Sequence, residues 1–147
     1  MEIRLDQVIA APPERVFHFF ADPRQRPRWQ RSLSQISLLT PGEPGLGTRW
    51  RESPVGLGAV TLEVTTHEPP RQWAERGSSA LGELHLTLAF TPEGAGTRVA
   101  LNATFGFPRP LRVVAWLMKP LILREIQNDM ARAARILEHA ERSIPGS

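Results

Sequence analysis

The sequence predicts an α+β fold: a seven-stranded antiparallel sheet whose apolar face is covered by one long C-terminal helix. Two observations carry this. Short segments of alternating apolar and polar residues follow one another with connections of hairpin length, the pattern of antiparallel strands with one buried face. After the last of them, from Pro110 to Arg142, the period changes: Leu111, Ala115, Met118, Ile122, Ile126, Met130, Ala133, Leu137 and Ala140 recur at spacings of three and four, on one helix face. A sheet with one apolar face needs a cover, and no other stretch is long enough to supply it.

The first strand is Glu2 to Ala10, with Ile3, Leu5 and Ile9 set against Arg4, Asp6 and Val8, and Gln7 as the exception on the apolar side. Ala11-Pro12-Pro13-Glu14 opens a helix, since proline is tolerated in a first turn and an acid there suits the helix dipole. Asp22-Pro23 closes it, because the residue before proline is pushed out of the helical region. Pro23 to Trp29 reads as a second short helix or an irregular segment. Strands are expected at Ser32–Leu39, Gly47–Ser53, Ala59–Glu68, Arg71–Gly77, Glu83–Thr91 and Thr97–Phe107, with turns at Pro41–Gly45, Pro54–Gly58, Pro69-Pro70, Gly77–Gly82 and Pro92–Gly96. Pro120 should break or kink the long helix, separating a strongly apolar segment, Leu111 to Lys119, from a regular helix that Ile144-Pro145-Gly146 ends.

A chain of 147 residues fits one domain spanning 1–147, large enough for a core without disulfides, which the lack of cysteine excludes. The N-terminus has no continuous apolar run of the export-signal kind, and no apolar stretch approaches the length that spans a bilayer, so a cytoplasmic location is expected. The pI is about 10.8 although the net charge is only +3. Lys119 is the one lysine and tyrosine is absent, so arginines that hardly titrate set the pI. Arg24, Arg26, Arg28 and Arg31 form the densest basic group. With no repeated aromatics or reading helix beside them, they read as a solvated loop, and no nucleic-acid partner is expected.

Several short stretches resemble one known family. Ala11-Pro12-Pro13-Glu14-Arg15-Val16-Phe17 after the first strand, Ala21-Asp22-Pro23 followed by Trp29, Gly45-Leu46-Gly47-Thr48, Glu68-Pro69-Pro70-Arg71 and Gly96-Thr97-Arg98-Val99 are together similar to the START-like helix-grip (SRPBCC) superfamily, in its polyketide cyclase/dehydrase-type branch. The resemblance implies a curved sheet wrapped around the C-terminal helix with an apolar cavity between them. It also implies binding of a small hydrophobic molecule such as a lipid, sterol, quinone or polyketide. It implies no shared catalytic residue.

On that fold the alternation turns Trp50, Glu52, Leu62, Val64, Trp73, Glu75, Leu86, Leu88, Leu101 and Phe105 inward from the sheet, with Met118, Ile122 and Ile126 from the helix. The aliphatic members also read as plain core. Trp50 and Trp73 are large amphipathic rings with an indole donor. Glu52 and Glu75 are the candidate catalytic groups, because a carboxylate on a buried face must raise its pKa, pair with an arginine or contact a ligand. Glu83 and His85 share the opposite face, and the spacing of His18, His67 and His139 fits no metal motif, so no metal is expected. Without a phosphate loop, a nucleophile elbow or a cysteine, no cofactor is expected either.

Three functions follow from this reading. The first is binding or transport of a small hydrophobic ligand in the cavity. A second is a cyclase or dehydratase using Glu52 or Glu75 as acid or base. The third is a protein- or membrane-interaction module using Leu111 to Leu123, a segment that a homodimer would also bury; its part before Pro120, Leu111 to Lys119, would form a lid over the cavity mouth, hinged at that proline.

Overall fold

A computed structural model describes residues 1–33, 35–53 and 58–143. The elements run β1 (Glu2–Ile9), α1 (Pro13–Phe20), a 3-10 turn (Pro23–Gln25), α2 (Arg26–Trp29), β2 (Ile36–Leu38), β3 (Arg49–Glu52), β4 (Val60–Glu68), β5 (Gln72–Ser79), β6 (Gly82–Glu93), β7 (Gly96–Gly106), a second 3-10 turn (Arg109–Leu111) and α3 (Arg112–Arg142). The seven strands form one sheet in the order β1-β7-β6-β5-β4-β3-β2, every neighbouring pair antiparallel. The expected turn at Pro54–Gly58 lies mostly outside the described residues, and the expected helix stop at Ile144-Pro145-Gly146 lies wholly outside them.

Alternation decides which face is buried. On β6, Leu86, Leu88 and Phe90 are buried while Glu83 and His85, on the other face, are exposed; on β7, Val99, Leu101 and Ala103 are buried. A register shift between Val64 and Thr66 interrupts the β4–β5 ladder and, as bulges do, bends the strand. Glycine is required at Gly82, which has φ +133° and whose added Cβ would stand 1.9 Å from the Gly106 carbonyl oxygen. β2 is only three residues long, and its last residue Leu38 and the following Leu39 are exposed, a short edge strand of the kind that limits edge-to-edge pairing.

The concave face is deeply buried at one end and only half-buried at the other. At the deeply buried end α1 presses Val16, Phe17 and Phe20 against the sheet, with the Phe17 and Phe90 rings 5.3 Å apart and the Phe20 and Trp29 rings 5.2 Å apart. The second half of α3 adds Met130, Ala133, Ala134 and Leu137 to this core. The Thr97 hydroxyl donates to the Ala11 carbonyl at 2.8 Å and the Ala10 N–H to Glu138 Oε2 at 2.9 Å, fixing the β1–α1 corner to β7 and α3. Toward the opposite end Val60, Leu84 and Phe105 of the sheet are only half-buried, as are Ile122, Leu123 and Ile126 of α3.

Pro120 corrects one expectation. α3 is continuous over 31 residues with Pro120 inside it, so the chain is not divided into an apolar segment and a separate helix. Pro120 and Trp116, whose carbonyl loses its usual donor, are both exposed, and on the solvent side of a helix water can take that carbonyl.

Candidate functional site

The site is built from α2, β3 and β5. Trp50 and Glu52 alternate inward on β3, Trp73 and Glu75 on β5, and all four are buried. Within each pair the indole reaches along its own strand to the acid: Trp73 Nε1 donates to Glu75 Oε2 at 2.9 Å and Trp50 Nε1 to Glu52 Oε2 at 3.3 Å. The two indoles lie 6.5 Å apart, tilted by 34°.

Between the acids stands Arg26, only 2% exposed. Its Nη2 donates to Glu75 Oε2, its Nη1 is 3.6 Å from Glu52 Oε2, and its guanidinium carbon lies 5.2 Å from the Trp50 ring centre and 5.7 Å from that of Trp29. The sequence groups Arg26 with Arg24, Arg28 and Arg31 as a solvated loop, and the structure corrects this: the other three are exposed, but the single turn of α2 turns Arg26 and Trp29 inward together. The signal that points to it is the need of two acids on a buried face for a cation. α2 is held in place from α3, where Arg132 Nη1 donates to the Trp29 carbonyl at 2.8 Å and to Asp129 Oδ1 at 3.0 Å, and Asp129 Oδ1 accepts the Arg31 N–H at 3.3 Å.

Two carboxylates share one guanidinium, and they share it unequally. Burial pushes the Glu52 carboxyl above its ordinary 4.5; Arg26 and the Trp50 N–H pull it down, the Glu75 charge pushes it further up, and the balance stays upward. Burial works against the charge on Arg26 as well, but Glu75 and then Glu52 more than offset it, so its pKa is raised and the guanidinium remains charged. Within this cluster three buried polar atoms have no hydrogen-bond partner among the described residues: Arg26 Nε, Glu75 Oε1 and Trp29 Nε1. The cluster therefore combines two spare donors, one spare acceptor and one carboxyl that holds its proton to higher pH than an ordinary glutamate.

The remaining sequence candidates divide by depth. Leu62, Val64, Leu86, Leu88 and Leu101 are buried in the core, Phe105, Ile122 and Ile126 are half-buried at its edge, and Met118 is 44% exposed on the flank of α3. A separate concavity of about 920 Å³ lies at the far corner, lined by residues such as Ile9, Pro12, Gly96 and Glu138; none of the candidates touches it.

A curved antiparallel sheet gripping a C-terminal helix, with an apolar concave face and a few polar groups set into it, defines a START-like helix-grip protein. The chain belongs to the polyketide cyclase / dehydrase and lipid transport family, whose model matches residues 1–138. No curated protein matches the sequence. Among solved structures it is similar to TTHA0849 from Thermus thermophilus, with 22% identity, TM-score 0.72, and 97% of this chain and 100% of that chain covered. It is also similar to the hypothetical protein jhp0584 from Helicobacter pylori, with 14% identity, TM-score 0.79, and coverage of 93% and 88%. DynU16, a putative protein in the dynemicin biosynthetic locus, is 20% identical with TM-score 0.69, the match covering 93% of this chain and 47% of that one. At these identities the likeness is one of fold.

Proposed function

We propose that this protein binds a small hydrophobic ligand bearing one polar group, with the apolar body between Val60, Leu84 and Phe105 of the sheet and Ile122, Leu123 and Ile126 of α3. The polar group turns toward Arg26 Nε and Glu75 Oε1. The observation that carries this reading is the buried Arg26–Glu52–Glu75 cluster with its unpaired donor and acceptor. As a device for stability such a cluster is poor, since apolar replacement of a buried ion pair is often neutral or stabilising. As a recognition element it supplies what an apolar cleft lacks, a few placed polar groups that orient a ligand. A hydroxyl fits the paired donor and acceptor, a carbonyl satisfies the donor alone, and a ligand anion does not fit, because the two acids outnumber the guanidinium. Native mass spectrometry of the purified protein, with solvent extraction, tests this: a co-purifying lipid-like compound supports it, and a protein that is ligand-free and takes up none of a panel of fatty alcohols, sterols and quinones contradicts it.

Glu52 favours a second reading, a cyclase or dehydratase in which this carboxyl moves a proton. Its upward-shifted pKa and longer contact with Arg26 suit an acid–base group, while Glu75, tied to both Trp73 and Arg26, acts as the fixed counter-ion that positions it. Glu52→Gln should then abolish turnover of a polyketide-like substrate while leaving its binding intact; unchanged turnover removes Glu52 from the chemistry.

A further inference from the structure

The first half of α3 is apolar on both sides. Ala115 is buried, and Leu111, Ile122 and Leu123 are half-buried on the side toward the fold. On the opposite side Val113, Leu117 and Leu121 follow at intervals of four and are 67%, 64% and 59% exposed, with Val114 beside them and Trp116, 71% exposed, on the flank. A helix that merely covers a sheet has a polar outer face, and beyond Pro120 α3 obeys that rule: Arg124, Asn128, Arg135 and Arg142 occupy the outer positions and are exposed. An apolar outer face confined to one end of a helix needs a partner to cover it.

The charges around that face select the partner. Between Phe107 and Arg124 the chain carries Arg109, Arg112, Lys119 and Arg124 and no acid. A twofold dimer through this face would bring these cations against their own copies, since such an interface pairs a patch with itself. An anionic lipid surface neutralises them instead and accepts the apolar side chains below its headgroups, with Trp116 suited to the boundary between the two. No helix among the described residues is long and apolar enough to cross a membrane, so the contact would be a surface one. We infer that the outer face of α3 from Val113 to Leu121 docks the protein onto anionic phospholipid membranes, placing the half-buried end of the concave face near the lipid surface. The inference stands whether or not the cleft binds a ligand.

The tryptophans provide the readout. Trp29, Trp50 and Trp73 are at most 4% exposed, so a change of emission on adding vesicles reports on Trp116. The full chain is mixed with vesicles of phosphatidylcholine and phosphatidylglycerol in equal parts, or of phosphatidylcholine alone, and followed by emission and flotation. The expected result is a blue shift and co-flotation with the anionic vesicles, weakened about ten-fold or more without phosphatidylglycerol or in high salt, where surface charge is screened. Leu117→Asp with Leu121→Asp should abolish both signals and leave the circular dichroism unchanged, as both positions are exposed. Failure to float with anionic vesicles, or flotation that the double variant does not reduce, overturns the inference. So does a stable dimer in sedimentation that the same variant dissociates, which would assign the face to a second copy of the chain.

Discussion

Arg26 and Glu75, 49 residues apart in sequence, form an ion pair inside the protein, the guanidinium of α2 donating to the carboxylate of β5 where neither meets solvent. Because Glu52 leans on the same guanidinium, one cation holds two buried acids, and the surrounding indoles of Trp50 and Trp73 complete the arrangement.

Removing that cation should be costly. Arg26→Met leaves two carboxylates in an apolar setting and should destabilise the protein by about 3–5 kcal/mol, the loss seen when one partner of a buried pair is deleted. Urea denaturation measures it. A loss under about 1 kcal/mol, the range of exposed pairs, would mean that the acids reach water without Arg26. Combining Arg26→Met with Glu75→Gln should recover part of the loss, because fewer buried charges then lack a partner.

Glu52 sets a pH dependence. Its folded pKa lies above the unfolded value near 4.5, so between those two values the folded state binds the proton that the unfolded state has released. Stability from this group is full below the unfolded pKa and is lost as pH rises through the folded one. Glu52→Gln cannot lose a proton, so its stability relative to the wild type should improve as pH rises across that window, measured as the difference between urea midpoints at each pH. A difference that is flat, or that moves against the variant, means that Glu52 is not shifted upward.

The buried face of the sheet and the outer face of α3 should respond differently to truncation. Leu88→Ala deletes a side chain that is 1% exposed in the core and should cost about 2–5 kcal/mol. Leu117→Ala, at 64% exposure, should change stability by no more than about 0.5 kcal/mol. A large loss at Leu117 in thermal or urea unfolding would show that the outer face of α3 packs within the fold and is not free to dock.

At the half-buried end, Gly82→Ala forces a Cβ against the Gly106 carbonyl in a backbone region that side chains avoid, and should cost about 1–3 kcal/mol or more. Gly106→Ala meets nothing within 4 Å and should shift stability by about 0.5 kcal/mol at most. Equal effects at the two positions in calorimetry would contradict the close approach of the β5–β6 turn to the end of β7.

The sheet was legible because alternation is a local signal: Trp50, Glu52, Trp73, Glu75, Leu86 and Leu88 face inward as their spacing requires, and a one-residue slip would have turned them all out. The acids were legible as anomalies on apolar faces, but their partner was not. Arg26 lies among arginines that do face water, and only the three-dimensional placement of one helical turn distinguishes it. Pro120 misled in the other direction, since its effect on a helix depends on whether the freed carbonyl meets water, which no local pattern records. Met118 shares the inward spacing of α3, yet is 44% exposed while Ala115, a turn earlier, is buried.

The half-buried end of the concave face should admit an apolar molecule. Titration with N-phenyl-1-naphthylamine, a neutral dye that brightens when it leaves water, tests it most directly, using the wild type beside Phe105→Arg, which places a charge among the half-buried side chains, with circular dichroism to establish that the variant folds and Leu84→Arg as its replacement if it does not. The expected result is saturable one-to-one uptake by the wild type, weakened about ten-fold or more in the variant, which corresponds to a loss of about 1.4 kcal/mol. No saturable uptake, or uptake that the arginine leaves unchanged, would contradict a binding cleft at this place.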